Sequence, residues 1–362
     1  MRERLLLAYV WESGDFVARL VRLLLRPFGW LFETIVALRN RAFDRGWLAT
    51  VSGGLPTIGV GNLTVGGTGK TPLAAWLAMR LREGGARPAI VMRGYGSDEA
   101  LVHARLNPDI PVIADADRVR GVGRARAAGA TIVLLDDGFQ HRRAQRDADV
   151  VLLSADRFGP VRPLPAGPWR EPLTALSRAT VVVVTRKTAS RVRARELLQH
   201  ALRFAPGASG VMVHLAADGL VSAADGSLLA LDALSRTAVL AISAIGDARA
   251  FESQLRSHGA FVTGAAFPDH HAFSGSEVKA LAFRTTEFRF AVCTLKDLVK
   301  LAPMWPREAP PLWYLSQRVI VEAGAEVLDG LVADFAARGA HHPTLDHQPP
   351  DAPGPTTDSH GS

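Results

Sequence analysis

Cys293 is the single cysteine in 362 residues. One thiol cannot build an internal disulfide framework, and it fits a reducing compartment. Long uncharged apolar runs are also missing. The most apolar long stretch, FVARLVRLLLRPFGWLFETIVAL, is broken by Arg19, Arg22, Arg26, Pro27 and Glu33, whereas a membrane span needs roughly 20 mostly uncharged residues. A secretory leader is not expected, because LLLAYVW (Leu5 to Trp11) is short and runs into Glu12 and Asp15 without a small-residue cleavage site. The basic residues form no aromatic-interleaved patch, which disfavours a nucleic-acid partner. There is no clear guanine-reading NKxD-type motif, no internal repeat, and no segment that marks a protein partner.

What is present points elsewhere. Hydrophobic residues make up 48% of the chain, which excludes a disordered protein. The length suits two ordinary domains. The formal net charge of +7 favours an anionic partner, whether nucleic acid, phosphate or an anionic membrane surface. Near the N-terminus, Arg19, Arg22 and Arg26 recur at i, i+3, i+7 and so share one helical face. Leu20, Leu23, Leu24 and Leu31 gather away from it, with Trp11, Phe28, Trp30 and Phe32 nearby. That pattern suits a helix lying in a membrane surface. An ordinary amphipathic helix packed on its own domain has the same signature.

The rest alternates strands and helices. Strands are expected at Pro56–Asn62, Arg87–Gly96, Ile110–Asp115, Thr131–Asp137, ADVVLLSAD and ATVVVVTRK, with helices over Pro72–Gly85 and VRGVGRARAAGA. Continuous rather than alternating Val/Ile/Leu runs mark strands covered on both faces. The expected fold is α/β: a P-loop, doubly wound, mostly parallel sheet with a second, smaller α/β domain and an N-terminal amphipathic helix. The break at APGASG separates strands at GVMVHL, AVLAISAIG, FAVCTL and LWYLSQRVIV. The implied division is residues 1–48, an amphipathic membrane-associating segment; 49–207, a P-loop kinase domain; 208–340, a smaller α/β domain; and 341–362, a disordered tail rich in Pro, Asp, Gly, Ser and Thr.

Chemistry concentrates in GNLTVGGTGKTPLAAWLA, between a strand and a helix. Backbone N–H groups can converge on an anion only where side chains leave room, hence Gly66, Gly67 and Gly69. The loop Thr64, Val65, Gly66, Gly67, Thr68, Gly69, Lys70, Thr71 is read as the ATP-binding site. Lys70 serves the β- and γ-phosphates, and the Thr71 hydroxyl serves Mg²⁺. Thr64 stands where the general P-loop pattern has glycine. The apolar strand of TIVLLDDGFQH ends in Asp136 and Asp137, carboxylates suited to holding Mg²⁺ directly or through water.

GNLTVGGTGKTP, RGYG, DDGFQH, LPAGPWREP, FPDHHAF and TLKDLVKL, in this order, resemble the tetraacyldisaccharide 4'-kinase (lipid A 4'-kinase) family over about residues 15 to 335. In that family serine or threonine is usual at the position of Thr64. The resemblance implies transfer of the ATP γ-phosphate to the 4'-hydroxyl of a tetraacylated glucosamine disaccharide 1-phosphate, giving the lipid A precursor lipid IVA. It also implies a peripheral protein on the cytoplasmic face of the bacterial inner membrane, with ATP and Mg²⁺ as cofactors and the lipid and an anionic membrane surface as partners. Arginines near the N-terminus could pair with anionic lipids.

The family takes the acceptor proton with an aspartate aided by the histidine of PDH. The matching positions here are Asp98 and His270. Ser97 stands in place of a glycine and Ala100 in place of a proline, and the loop before the acidic pair is shorter than usual. Asp115 and Asp117 are the fallback bases. Arg118, Arg170 and Glu171 match family positions near the phosphates or metal. Arg170 is expected to stabilise developing phosphoryl charge, and Glu171 to join Thr71, Asp136 and Asp137 at the metal. Two rivals stay open: a membrane-associated P-loop regulatory ATPase, and a P-loop kinase of a soluble small molecule.

Overall fold

The computed structural model describes residues 9–11, 13–94 and 97–340. The tail at 341–362, Leu5–Ala8 of the N-terminal apolar run, and Tyr95 and Gly96 of RGYG lie outside the described residues. The β-branched and glycine run after Pro56 forms the central strand β1 (Thr57–Asn62), with every residue buried. Beside it lie β2 (Pro88–Met92), β3 (Val112–Ala114), β4 (Ile132–Asp136), β5 (Ala148–Ser154) and β6 (Val181–Arg186), in the parallel order β6-β5-β1-β4-β2-β3. Their continuous apolar sequences follow from cover on both faces. One face of the sheet carries α2 (Lys70–Glu83), through Leu73, Leu77 and Leu81. The other is covered partly by α4 (Arg118–Ala127), through Val122 and Ala125, and partly by α5 (Arg191–Leu202).

The second half continues the same sheet. β7 (Ser209–Ser222) joins β6 in parallel and pairs antiparallel with β12 (Leu312–Ala323) and with the short β8 (Leu228–Leu229). Beyond β12 come β11 (Phe290–Cys293), β9 (Ala238–Ser243) and β10 (Phe261–Ala266), completing a 12-stranded sheet. The APGASG break is the turn between α5 and β7. Strand β10 escapes a sequence reading because it is an edge strand with little buried surface and no apolar run. Three helices of this half are α6 (Ala248–Ser257), α7 (Gly275–Arg284) and α8 (Leu295–Leu301). The last helix, α9 (Ala325–Ala340), returns to the first half. Its Leu328, Val332, Phe335 and Ala336 share a core with α2 and β1. Residues 325–340 therefore pack with the P-loop half, although in the chain they follow the smaller unit.

The N-terminal helix α1 (Phe16–Asp44) is capped by Asp15, whose carboxylate accepts the Ala18 N–H at 2.8 Å. It continues through Pro27. Its buried residues, Ala18, Gly29 and Val36, line one side. At Gly29 the helix comes close to Pro163, and an added Cβ would lie 3.2 Å from its ring. The opposite side leaves Leu20, Leu23, Leu24, Phe28, Leu31, Ile35 and Leu38 exposed. Arg22 donates to the Val10 and Ser13 carbonyls, and Arg26 lies over the Trp30 ring. Among the described residues, no helix is long and apolar enough to cross a membrane.

Candidate active site

Strand β1 delivers the glycine-rich loop to the N-terminus of α2. Gly69 caps that helix at φ +85°, a left-handed conformation suited to glycine, and any side chain there would collide with Leu215. The loop is held from beneath. Asn62 Nδ2 donates to Thr68 Oγ1 at 2.9 Å, and Thr185 Oγ1 donates to the Thr68 carbonyl at 2.8 Å. From the side, the LPAGPWREP block clamps it: Val65 N–H donates to the Pro168 carbonyl at 2.8 Å, Arg170 N–H donates to the Leu63 carbonyl at 2.7 Å, and Thr64 bridges to Trp169. The same block docks α1 through Pro163 against Gly29, and holds the segment before it through the Trp11 indole, which donates to the Pro165 carbonyl at 2.9 Å.

At the end of β4 the two aspartates differ. Asp136 is buried, with one oxygen 2.8 Å from His103 Nε2 and the other accepting the Asp137 N–H at 2.9 Å. Asp137 sits at φ +53° and meets two cations: Lys70 Nζ at 3.3 Å and Arg170 Nη1 at 2.9 Å. Burial pushes the Asp137 carboxyl up, but Lys70 and Arg170 outweigh it and hold the group at about 2. The predicted phosphate-binding lysine, the predicted charge-stabilising arginine and a predicted metal carboxylate thus form one cluster. Lys70 and Arg170 neutralise Asp137 in the way a bound cation would.

Glu171 stands differently. Its Oε2 accepts from Arg178 at 2.8 Å and from Asn40 of α1 at 2.7 Å, rather than contacting Thr71, Asp136 or Asp137. Its other oxygen, Oε1, is buried without a hydrogen-bond partner and is available as a ligand atom. Among the described residues, no three carboxylate, histidine or cysteine side chains stand together as a ready-made metal site; what Thr71, Asp137 and this Glu171 atom offer is oxygen, the donor type that the hard cation Mg²⁺ takes.

Asp98 lies in the first turn of α3 (Ser97–Leu106), whose last turn carries His103. The sequence reading assigns no element to these residues; the helix they form buries Asp98. Residues from the second half close on it. His270 Nδ1 is 3.4 Å from Asp98 Oδ2, and Lys300 Nζ of α8 is 3.3 Å from the same atom. The facing imidazole is the largest cause holding the Asp98 carboxyl well below the usual range. Desolvation opposes it, while Lys300 and Lys296 reinforce it. Burial pushes the neighbouring Glu99 up, although Lys296 stands 3.9 Å away. His270 is at φ +60°, its N–H donating to the Ala244 carbonyl at 3.2 Å.

The fallback carboxylates are engaged elsewhere. Asp115 accepts from Arg120 at 2.7 and 2.9 Å, and Asp117 caps α4 and pairs with Arg143. Arg118 is buried, donating to the Asp115 carbonyl at 3.1 Å. Sequence reasoning passed over His103, Lys296 and Lys300. The lysines were visible as an i, i+4 pair inside TLKDLVKL, on one face of a helix. His103 had no signal, because its contact with Asp136 spans 33 positions of sequence.

A family model described as tetraacyldisaccharide-1-P 4'-kinase matches residues 21–101 and 97–334. The chain is 37% identical over 338 residues to the tetraacyldisaccharide 4'-kinase of Halorhodospira halophila, covering 87% of this chain and 94% of that one. It is 34% identical over 322 residues to that of Thiobacillus denitrificans, covering 83% and 92%. Among solved structures, the crystal structure of the "apo" form of LpxK from Aquifex aeolicus in complex with ATP superposes with a TM-score of 0.68 at 28% identity, covering 87% of this chain and 99% of that one.

Proposed function

The chain belongs to the tetraacyldisaccharide-1-P 4'-kinase family, and from that premise we propose how its residues divide the work of the reaction. The reaction is ATP-dependent phosphorylation of the 4'-hydroxyl of a tetraacylated glucosamine disaccharide 1-phosphate, giving a lipid A precursor. The loop from Thr64 to Thr71 cradles the ATP phosphates with its backbone N–H groups, and Lys70 leaves Asp137 to reach them. Arg170 lies beside Lys70 and supplies positive charge where the transferred phosphoryl group becomes more negative. Thr71, Asp136, Asp137 and Glu171 are the residues that would hold Mg²⁺, which when bound would supply positive charge against that of the phosphates. Of the two aspartates, Asp137 is the one whose oxygens face the cations. Asp136, tied to His103, fixes the strand end.

Asp98 receives the proton of the sugar 4'-hydroxyl. Its cationic contacts fall on Oδ2, leaving Oδ1 to face the acceptor. A carboxylate held this far down is a weak base. A loose phosphoryl-transfer transition state asks little of the base, so orientation of the hydroxyl is the larger part of its role. The observation that carries this reading is the contact of Asp98, from the P-loop half, with His270 and Lys300, from the other half. The division at 207/208 then has a meaning: the reacting groups meet in the cleft between a P-loop unit and a smaller α/β unit. The exposed leucine face of α1 lies in the cytoplasmic face of the bacterial inner membrane and brings the site to its lipid. The test is Asp98→Asn. It should lower kcat about 10²- to 10³-fold with ATP affinity kept, while Asp115→Asn stays near wild type. The reverse ranking would transfer the base role to Asp115.

A further inference from the structure

We propose that Lys296 is a positioning residue for phosphoryl transfer, because its ammonium selects the His270 tautomer whose Nδ1–H faces Asp98. The inference rests on Asp98 as the group that receives the acceptor proton. An ammonium has three donors and no acceptor. Lys296 Nζ lies 3.1 Å from His270 Nε2, so that nitrogen must offer its lone pair. The ring proton then sits on Nδ1, the atom 3.4 Å from Asp98 Oδ2. Asp98 Oδ2 is buried with no hydrogen bond yet formed to it, so an Nδ1–H is the donor placed to serve it when the site closes.

The backbone fixes where the imidazole is but not which nitrogen is protonated. His270 N–H donates to the Ala244 carbonyl, while Ala244 N–H donates to the Asp297 carboxylate of α8 at 3.0 Å. Asp297 Oδ2 also accepts from Thr294 Oγ1 at 2.6 Å, at the start of the helix that carries Lys296. The His270 loop and the Lys296 helix are therefore anchored on one residue, Ala244. The charged groups around the imidazole are Asp98, Asp269 and Lys296, with Glu99 and Lys300 behind them. Asp269 Oδ2 stands 3.9 Å from Nε2 and is the competing acceptor. Without Lys296 the proton can move to Nε2 and face Asp269. The Nδ1 lone pair would then point at the Asp98 carboxylate, which would lose the N–H placed to orient it. Lys300 differs: it touches Asp98 directly and acts by charge.

The test is a double-mutant cycle of Lys296→Met and His270→Ala, read as kcat at saturating ATP and lipid, with ATP affinity measured separately. Lys296→Met should lower kcat roughly 3- to 100-fold, the span of coupling between contacting groups, and leave ATP affinity unchanged. In the His270→Ala background the same substitution should cost less than about twofold. Multiplicative losses would overturn the inference, since Lys296 would then act without His270. Nitrogen-15 NMR of His270 gives a second readout. The wild type should show the Nδ1–H tautomer and Lys296→Met a shift towards Nε2–H, and a wild type already protonated on Nε2 would also overturn it. If Asp98→Asn is itself harmless, the underlying base assignment fails instead.

Discussion

Replacing Leu23, Leu24 and Leu31 of α1 with serine should detach the protein from anionic vesicles without unfolding it. These side chains are 57%, 64% and 58% exposed, so the fold does not depend on their burial. A membrane surface would cover what the fold leaves open. Full burial of a leucine is worth about 1.5–3 kcal/mol, so covering the exposed share of three of them contributes roughly 3–5 kcal/mol. At about 1.4 kcal/mol per decade, partition into vesicles should fall by roughly two to four decades. Exchange of leucine for serine removes apolar area and leaves Arg19, Arg22 and Arg26 in place, so a residual salt-sensitive attraction should persist. The assay is co-sedimentation with anionic vesicles beside a thermal melt. The apparent KM for the long-chain lipid should rise, while turnover of a short-chain soluble acceptor should change little. An unchanged partition coefficient with an unchanged melt would refute the reasoning and return α1 to the role of a packed amphipathic helix.

Lys70→Ala and Thr71→Ala should each abolish turnover while the melting temperature stays near wild type, because neither side chain belongs to the core; near-normal phosphorylation by either variant would remove the P-loop assignment. Glu171→Gln should cost on the order of 2–3 kcal/mol in denaturant titration, since it leaves the Arg178 guanidinium without its charge partner. Unchanged stability with lost turnover would show that this carboxylate serves the metal and not the fold. Asp115 is held at about 2, chiefly by the Arg120 hydrogen bonds. Its folded value lies below its unfolded value of about 3.9, so it stabilises above that value and the contribution is lost as pH falls towards about 2. Asp115→Asn should therefore lower the denaturant midpoint at about pH 6 and make little difference near about pH 2, and a gap that widens on acidification would contradict the sign.

Much of this was legible in the sequence because local patterns and local chemistry coincide. The apolar runs at Ile132–Leu135 and Val181–Val184 are strands because both faces are covered, and the Gly69-Lys70-Thr71 junction turns from loop to helix at Gly69, where the left-handed backbone and Leu215 leave no room for a side chain. The arginine and leucine stripes of α1 mark two of its faces. What lay beyond sequence reading depends on distant partners. Nothing in Ala325–Ala340 says that its apolar face reaches α2 and β1 as well as the strands just before it. Nothing near His103 points to Asp136. Nothing near Glu171 says that Arg178 and Asn40 would take one of its carboxylate oxygens and leave the other without a partner. The family pattern singles out Asp98, but its burial follows from the helix that the short loop leads into.

The most direct test is incubation of the intact protein with γ-labelled ATP, Mg²⁺ and a tetraacyl glucosamine disaccharide 1-phosphate in detergent. Labelled lipid phosphorylated at the 4'-hydroxyl, formed with matching ADP and absent for Lys70→Ala, is the predicted result. ADP release that ignores the lipid, or label passing only to a soluble acceptor, would contradict it and favour a regulatory ATPase or a kinase of small molecules.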